Sequence, residues 1–292
     1  MAKILKKSVI FQHFGASIHP LGIIVANLRT NFNDIYYMAK QKVEVGSSQA
    51  EAKFRITVTE KGPYLVFGQP PLAQQFIVPN ARGESWEFRE GRHFKTDSEP
   101  TALCRCGASG NKPYCDGSHT KHKWNPELSS PPEALLDNVE ITSGKDISIT
   151  DNPKYCVFAR FCDAGSGVWS LTEASEDPKA RDLAIREASM CPSGRLMAWD
   201  NGSKKPYEYK YEPSLGLIED EAIGASGGLW VRGGIQIARE NGQSYEIRNR
   251  NVLCRCGMSA NKPYCDGTHA SLRWRDEIEE EVPDSAEAEK VY

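Results

Sequence analysis

"CRCGASGNKPYCDGSH", residues 104–119, places three cysteines and a histidine within one short loop, and "CRCGMSANKPYCDGTH", residues 254–269, repeats it. The copies start 150 positions apart and agree at 13 of 16 places, with every thiol and imidazole at the same offset. Cysteine thiolates and neutral imidazole are the donors used by zinc and by iron–sulfur clusters. Zinc ribbons usually grip their ion with C-x2-C pairs. Here the first pair is C-x-C and the second is Cys-x3-His, an arrangement that suits two irons with two donors each.

The rest of the composition narrows the field. A chain of 292 residues has room for two or three small domains. Its net charge of −3 gives no basis for nucleic acid or a membrane as main partner, and no apolar run approaches the roughly 18 residues of a membrane span. The nine cysteines form three trios: Cys104, Cys106, Cys115; Cys156, Cys162, Cys191; and Cys254, Cys256, Cys265. Each trio is odd, so a closed disulfide framework would leave a thiol over. Metal ligation in a reducing, cytoplasmic compartment is the expectation. Residues 1–37 carry Lys3, Lys6, Lys7 and Arg29 and no acid before Asp34, the outline of a targeting leader without a clean cleavage site. Met38 as the working start and an extra ordered element are the other readings. A dispensable extension over residues 1–50 is the one adopted.

The repeat reaches beyond the cysteines. "GPYLVFGQPPL" (62–72) aligns with "GGLWVRGGIQI" (227–237), and alternation in "WEFR" and "YEIR" predicts short strands. About 15 extra residues before the first cysteine loop read as a loop insertion. The expected organisation is a β-rich module over 51–128, a linker over 129–144, a third unit over 145–212, a second β-rich module over 224–278 and an acidic, disordered tail over 279–292. In the third unit "DISIT" predicts a strand. "DPKARDLAIREASM" predicts a helix, capped by Asp177, opened by Pro178, with Ala180, Leu183, Ala184 and Ala188 on one apolar stripe.

The two sixteen-residue copies resemble the CDGSH iron–sulfur family, whose pattern is C-x-C-x2-S/T-x3-P-x-C-D-G-S/A/T-H. Both fit it without departure: Ser109, Pro113, Asp116, Gly117 and Ser118 in the first, Ser259, Pro263, Asp266, Gly267 and Thr268 in the second. The resemblance implies a 2Fe–2S cluster at each copy, held by Cys104, Cys106, Cys115 and His119 and by Cys254, Cys256, Cys265 and His269. "CDG" followed by Ser or Thr and His reads as a helix start, with Asp116 or Asp266 poised to cap N–H groups. Replacing one thiolate by imidazole removes a negative charge, raises the reduction potential and makes the site acid-labile. Arg105, Arg255, Lys112 and Lys262 recur beside the motifs, either to offset cluster charge, to meet an acidic partner, or as solvated surface. His122 has no counterpart and reads as solvated. Because mitoNEET-like members pair two copies as a homodimer, the two copies here are expected to pair within one chain.

The middle trio resembles the ferredoxins with a single divergent 4Fe–4S cluster. Cys156 and Cys162 have the outer spacing of a C-x2-C-x2-C run, Cys191-Pro192 supplies the distant member, and Ala159 replaces the central cysteine. Three thiolates suit a 3Fe–4S cluster, and a 4Fe–4S cluster needs water, hydroxide or a carboxylate as fourth ligand, with Asp163 a candidate by proximity. Three buried structural cysteines are the bland alternative. Arg160, Lys154 and Arg195 are near enough in sequence to tune the site.

The fold class expected is α+β, with two β-rich modules flanking a small ferredoxin-like unit. No G-x-G-x-x-G follows a strand and no Ser/His/Asp or Cys/His catalytic set stands out. The expected role is therefore one-electron transfer with redox partner proteins. Storage, sensing or transfer of clusters to apo iron–sulfur acceptors is the alternative, and a structural zinc protein is a third reading.

Overall fold

The computed structural model describes residues 49–279. All but the last two residues of the N-terminal extension, and all but the first residue of the acidic tail, lie outside the described residues. Within them the chain is α+β: thirteen strands in three sheets, with three short helices.

Strands β1 (Arg55–Val58), β2 (Tyr64–Phe67) and β5 (Thr101–Leu103) form an antiparallel run whose alternate residues Ile56, Val58, Tyr64 and Val66 point inward. Fully burying such a side chain contributes about 1.5–3 kcal/mol relative to leaving it exposed. The edge of this run is closed by β12 (Gln236–Arg239), which pairs parallel with β1 from Arg55↔Gln236 to Val58↔Arg239. The second sheet mirrors the first. Strands β10 (Ser214–Asp220), β11 (Ala225–Arg232) and β13 (Arg250–Leu253) are antiparallel, and β3 (Leu72–Pro79) joins β10 in parallel from Leu215↔Leu72 to Glu219↔Phe76. Each half of the chain thus lends one strand to the other's sheet.

Four expectations change as a result. The second β-rich module begins at Ser214, ahead of residue 224, because β10 is the counterpart of β1. The extra residues of the first module are a hairpin: β4 (Ser85–Phe94) folds back on β3 as a fifth strand. "YEIR" is not a strand. Tyr245 turns into the core after a single bridge between Ala238 and Ser244, and pairing resumes at Arg250. The end of the presumed linker is also paired, as β6 (Glu140–Ser143).

The third sheet runs β6, β7 (Ile147–Asp151), β8 (Leu196–Asp200) and β9 (Pro206–Tyr207), antiparallel throughout. Helices α1 (Val168–Glu173) and α2 (Pro178–Met190) cover it, and Ala184 and Ala188 pack on Ile147, Ile149 and Ala198. The start of α2 follows the sequence reading: Asp177 accepts the Lys179 N–H and Pro178 opens the first turn. Its last turn leads directly into Cys191.

Candidate metal centres

Each motif loop is closed by the strand that enters it. The Cys104 N–H donates to Pro113 O and the Cys115 N–H to Ala102 O; in the second copy Cys254 donates to Pro263 O and Cys265 to Val252 O. Closure brings the donors together as two pairs. Cys104 and Cys106 sulfurs lie 3.8 Å apart, and the Cys115 sulfur lies 3.3 Å from Nδ1 of His119. The second copy has the same distances, 3.8 Å for Cys254 and Cys256 and 3.3 Å for Cys265 and His269 Nδ1. Among the described residues no group of three or more His, Cys, Asp or Glu side chains is placed to hold a single metal ion. The thiolate pair and the thiolate–imidazole pair are donor types that iron–sulfur clusters use, and the residues fit such a cluster. Hydrogen bonding from Cys106 pulls the Cys104 thiol down to about 6, and Cys256 does the same to Cys254.

The loop after the third cysteine is held by its aspartate. Asp116 accepts the Ser118 and Gly110 N–H groups, and these bonds hold its carboxyl well below the usual range. Asp266 accepts from Thr268 and Ala260 in the same way. The following turn is a single 3₁₀ turn at Ser118–Thr120, and helix α3 (Thr268–Leu272) in the second copy. His119 and His269 sit on these turns.

The two hooks stand back to back. Gly107 has φ 80°, and a Cβ there would lie 2.4 Å from the Cys256 carbonyl oxygen. Gly257 has φ 79°, and its Cβ would lie 2.3 Å from the Cys106 oxygen. The fit between copies is helped by Tyr64 on β2, whose hydroxyl donates across the repeat to Cys254 O at 2.6 Å. Sequence reasoning missed Tyr64 because its partner lies 190 residues away.

The recurring arginines are clamps, not surface. Arg105, 1% exposed, donates to the backbone oxygens of Thr59, Glu60, Gly62 and Pro126 and stacks 4.7 Å from the Trp124 ring. Arg255 donates to Gly227 O, Ile218 O, Glu219 and Asp276, and stacks on Trp274. Lys112 and Lys262 are tied to Ser109 O and Ser259 O. His122 is exposed.

The copies differ in cover. Cys115 and His119 are half-buried, with Thr120 to Lys123 exposed beyond them, whereas Cys265 and His269 are buried. The middle unit supplies that cover. A Cβ on Gly267 would meet Cys156 O at 3.2 Å and the Phe158 Cβ at 3.3 Å, and Asn261 donates to Lys154 O. Burial and the Arg255 charge push His269 down to about 4. Under an iron chelator at neutral pH the first site is expected to lose iron several-fold faster than the second. The EPR signals of the two reduced sites would report the rates, and equal rates would show that this cover does not govern access.

The middle trio flanks the same region. Cys156 follows a turn at Pro153–Tyr155, Cys162 lies in the turn Phe161–Asp163, and Cys191 ends α2; all three are half-buried. Cys162 lies within electrostatic reach of Cys191, Arg195 within reach of Cys156 and Cys191, and Cys156 within reach of Cys265. Burial raises the Cys162 thiol. The nearby cations are committed to partners: Arg160 to Asp220 at 2.6 Å, Arg195 to Asp151 at 2.6 Å, and Lys154 to Glu133. Arg195 also lies in the trio's field, raised by Asp151 and these thiols against its burial, and Arg250 is raised in part by Cys191. Asp163 Oδ1 lies 3.5 Å from the Cys162 sulfur and is exposed.

Residues 61–120 and 226–270 match a family described as iron-binding zinc finger, CDGSH type, and residues 142–201 match a divergent 4Fe–4S mono-cluster family. No curated protein and no solved structure matches the chain. Among the described residues no helix is long and apolar enough to cross a membrane.

Proposed function

Because this chain carries two CDGSH-type iron-binding segments around a divergent 4Fe–4S mono-cluster segment, we propose that it is an iron–sulfur protein of one-electron transfer, with 2Fe–2S at each outer site and 3Fe–4S or 4Fe–4S in the middle. The observation that carries this reading is adjacency. A Cβ on Gly107 would run into the Cys256 carbonyl, one on Gly257 into the Cys106 carbonyl, and one on Gly267 would crowd the Cys156 carbonyl, so the three donor sets are close neighbours. Bound clusters supply the ability to take up and release single electrons. The protein's part is to hold and shield them. Cys104, Cys106, Cys115 and His119 hold the first, Cys254, Cys256, Cys265 and His269 the second, and Cys156, Cys162 and Cys191 the third. Asp116 and Asp266 fix the histidine turns, Arg105 fastens the first hook to the turn between β1 and β2, and Arg255 fastens the second to β10 and β11. The proposed partners are redox proteins in a reducing, cytoplasmic setting, and the strand pairing between the two halves supports a monomer that contains its own pseudo-dimer.

Iron, zinc and acid-labile sulfide per chain, with a redox titration on protein purified without oxygen, test this. Iron matched by sulfide, and reversible one-electron reduction without cluster loss, are expected. Zinc without sulfide overturns the reading. A second reading, delivery of clusters to apo acceptors, draws on the half-buried edge formed by Cys115 and His119. Mixing holoprotein with an apo-ferredoxin distinguishes the two: appearance of the cluster on the acceptor favours delivery.

A further inference from the structure

Ala159 stands where a fourth thiolate would meet the middle cube, and it packs in an apolar cluster with Trp230 and Val252. A donor for that corner is present on the helix that ends in Cys191. Glu187 lies in the last turn of that helix, four residues before Cys191, and the helix packs on the turn that carries Cys162. Glu187 is 0% exposed, and neither of its carboxylate oxygens has a hydrogen-bond partner. Buried carboxylates are otherwise paired, hydrogen-bonded or bound to metal.

The surroundings offer no such partner. Helix α2 packs on the turn that carries Cys162, and the charges felt by Glu187 are Asp163, Glu84 and Arg186. Arg186 is engaged elsewhere, donating to Trp86 O and stacking 3.6 Å from the Trp86 ring. Glu84 is already satisfied by Asn80, Arg82 and the Gly165 N–H. Burial, Asp163 and Glu84 push Glu187 up to about 8, so the protein alone disfavours its charge. An iron beside it reverses that balance. The rival carboxylate, Asp163, is exposed, and water satisfies it without iron.

We propose that Glu187 ligates the fourth iron of the middle cluster, making it a 4Fe–4S centre with three thiolates and one carboxylate. The assignment rests on the reading of the middle unit as a cluster site. Binding forms an Fe–O bond and releases the carboxyl proton to solvent, with no change of oxidation state. It also separates the roles of the two carboxylates: Glu187 binds inside, and Asp163 remains at the solvent edge.

The test uses the full-length protein, purified without oxygen, as wild type, Glu187→Gln, Glu187→Cys and Asp163→Asn. Iron and sulfide per chain and the EPR spectrum of the oxidised state are compared, with the signals of the two outer sites as the control for folding. The wild type is expected to lack the signal of an oxidised three-iron cluster. Glu187→Gln should gain that signal and lose one iron per chain, and Glu187→Cys, which offers a thiolate, should keep the fourth iron. The assignment fails if Glu187→Gln keeps the wild-type iron content, if Glu187→Cys resembles Glu187→Gln, or if Asp163→Asn alone produces the three-iron signal. It also fails if the wild type itself is three-iron, an outcome that leaves the cluster reading intact. A wild type with both outer clusters and no third one overturns the cluster reading of the middle unit itself. Should the Gln variant lose all three sites through misfolding, the Cys variant decides.

Discussion

Gly107→Ala is expected to empty both outer sites, although it alters only one. Gly107 is in the left-handed region, and an added Cβ would press on the Cys256 carbonyl at 2.4 Å, a backbone atom that cannot swing away. The left-handed conformation costs a non-glycine residue about 1–2 kcal/mol. Relieving the clash moves the second hook as well, and a total of about 3–4 kcal/mol is expected, in the range of severe point mutations. Gly257→Ala should act in the same way on the first hook. Gly117→Ala is the control: its φ is 85°, but an added Cβ meets nothing within 4 Å, so only the conformational cost applies. Iron and sulfide content with denaturant midpoints would read all three variants. Loss confined to the first site in Gly107→Ala would show that the two hooks are held independently.

Arg250→Met is expected to have the largest effect on stability and to cost the middle site its cluster. Arg250 lies on β13, is 2% exposed, and pairs with buried Glu208. It also donates to the carbonyls of Ala188, Ser189, Cys191 and Leu196, so it closes the C-terminal end of α2 at the point where Cys191 emerges. Breaking a buried pair by removing one partner costs about 3–5 kcal/mol, because the other charge stays buried without compensation. Adding Glu208→Gln should recover part of that loss. A midpoint shift worth less than about 0.5 kcal/mol in Arg250→Met would mark the pair as dispensable.

The candidate donors stand out in the sequence because metal chemistry restricts both residue type and spacing. Cys104 to His119 can be recognised without knowing where the strands go. The pairing of β1 with β12 and of β3 with β10 was not legible, since nothing local in "RITV" or "QIAR" names a partner about 180 residues away. Arg105 and Arg255 were visible as recurring charges, but their burial was not. The recurrence that would have revealed it was Trp124 and Trp274, each five residues after its histidine and each under its arginine. Of the hairpin of β3 and β4, the alternation in "WEFR" marked the outer strand, but nothing local showed that it folds back on β3. Glu187 had a signal of its own: it continues the stripe of Ala180 and Ala184 at helical spacing, a carboxylate on the buried face.

The exchange of strands between the halves orders events during synthesis. When the first cysteine loop has left the ribosome, its sheet still lacks an edge, because β12 ends at Arg239 and is made only after the middle unit. The nascent chain therefore carries an open strand edge and an unbacked first hook until nearly the whole polypeptide is out, since Cys256 closes behind Gly107 last. Completion of the sheet around the first motif is in this way a late event, timed by translation of the second.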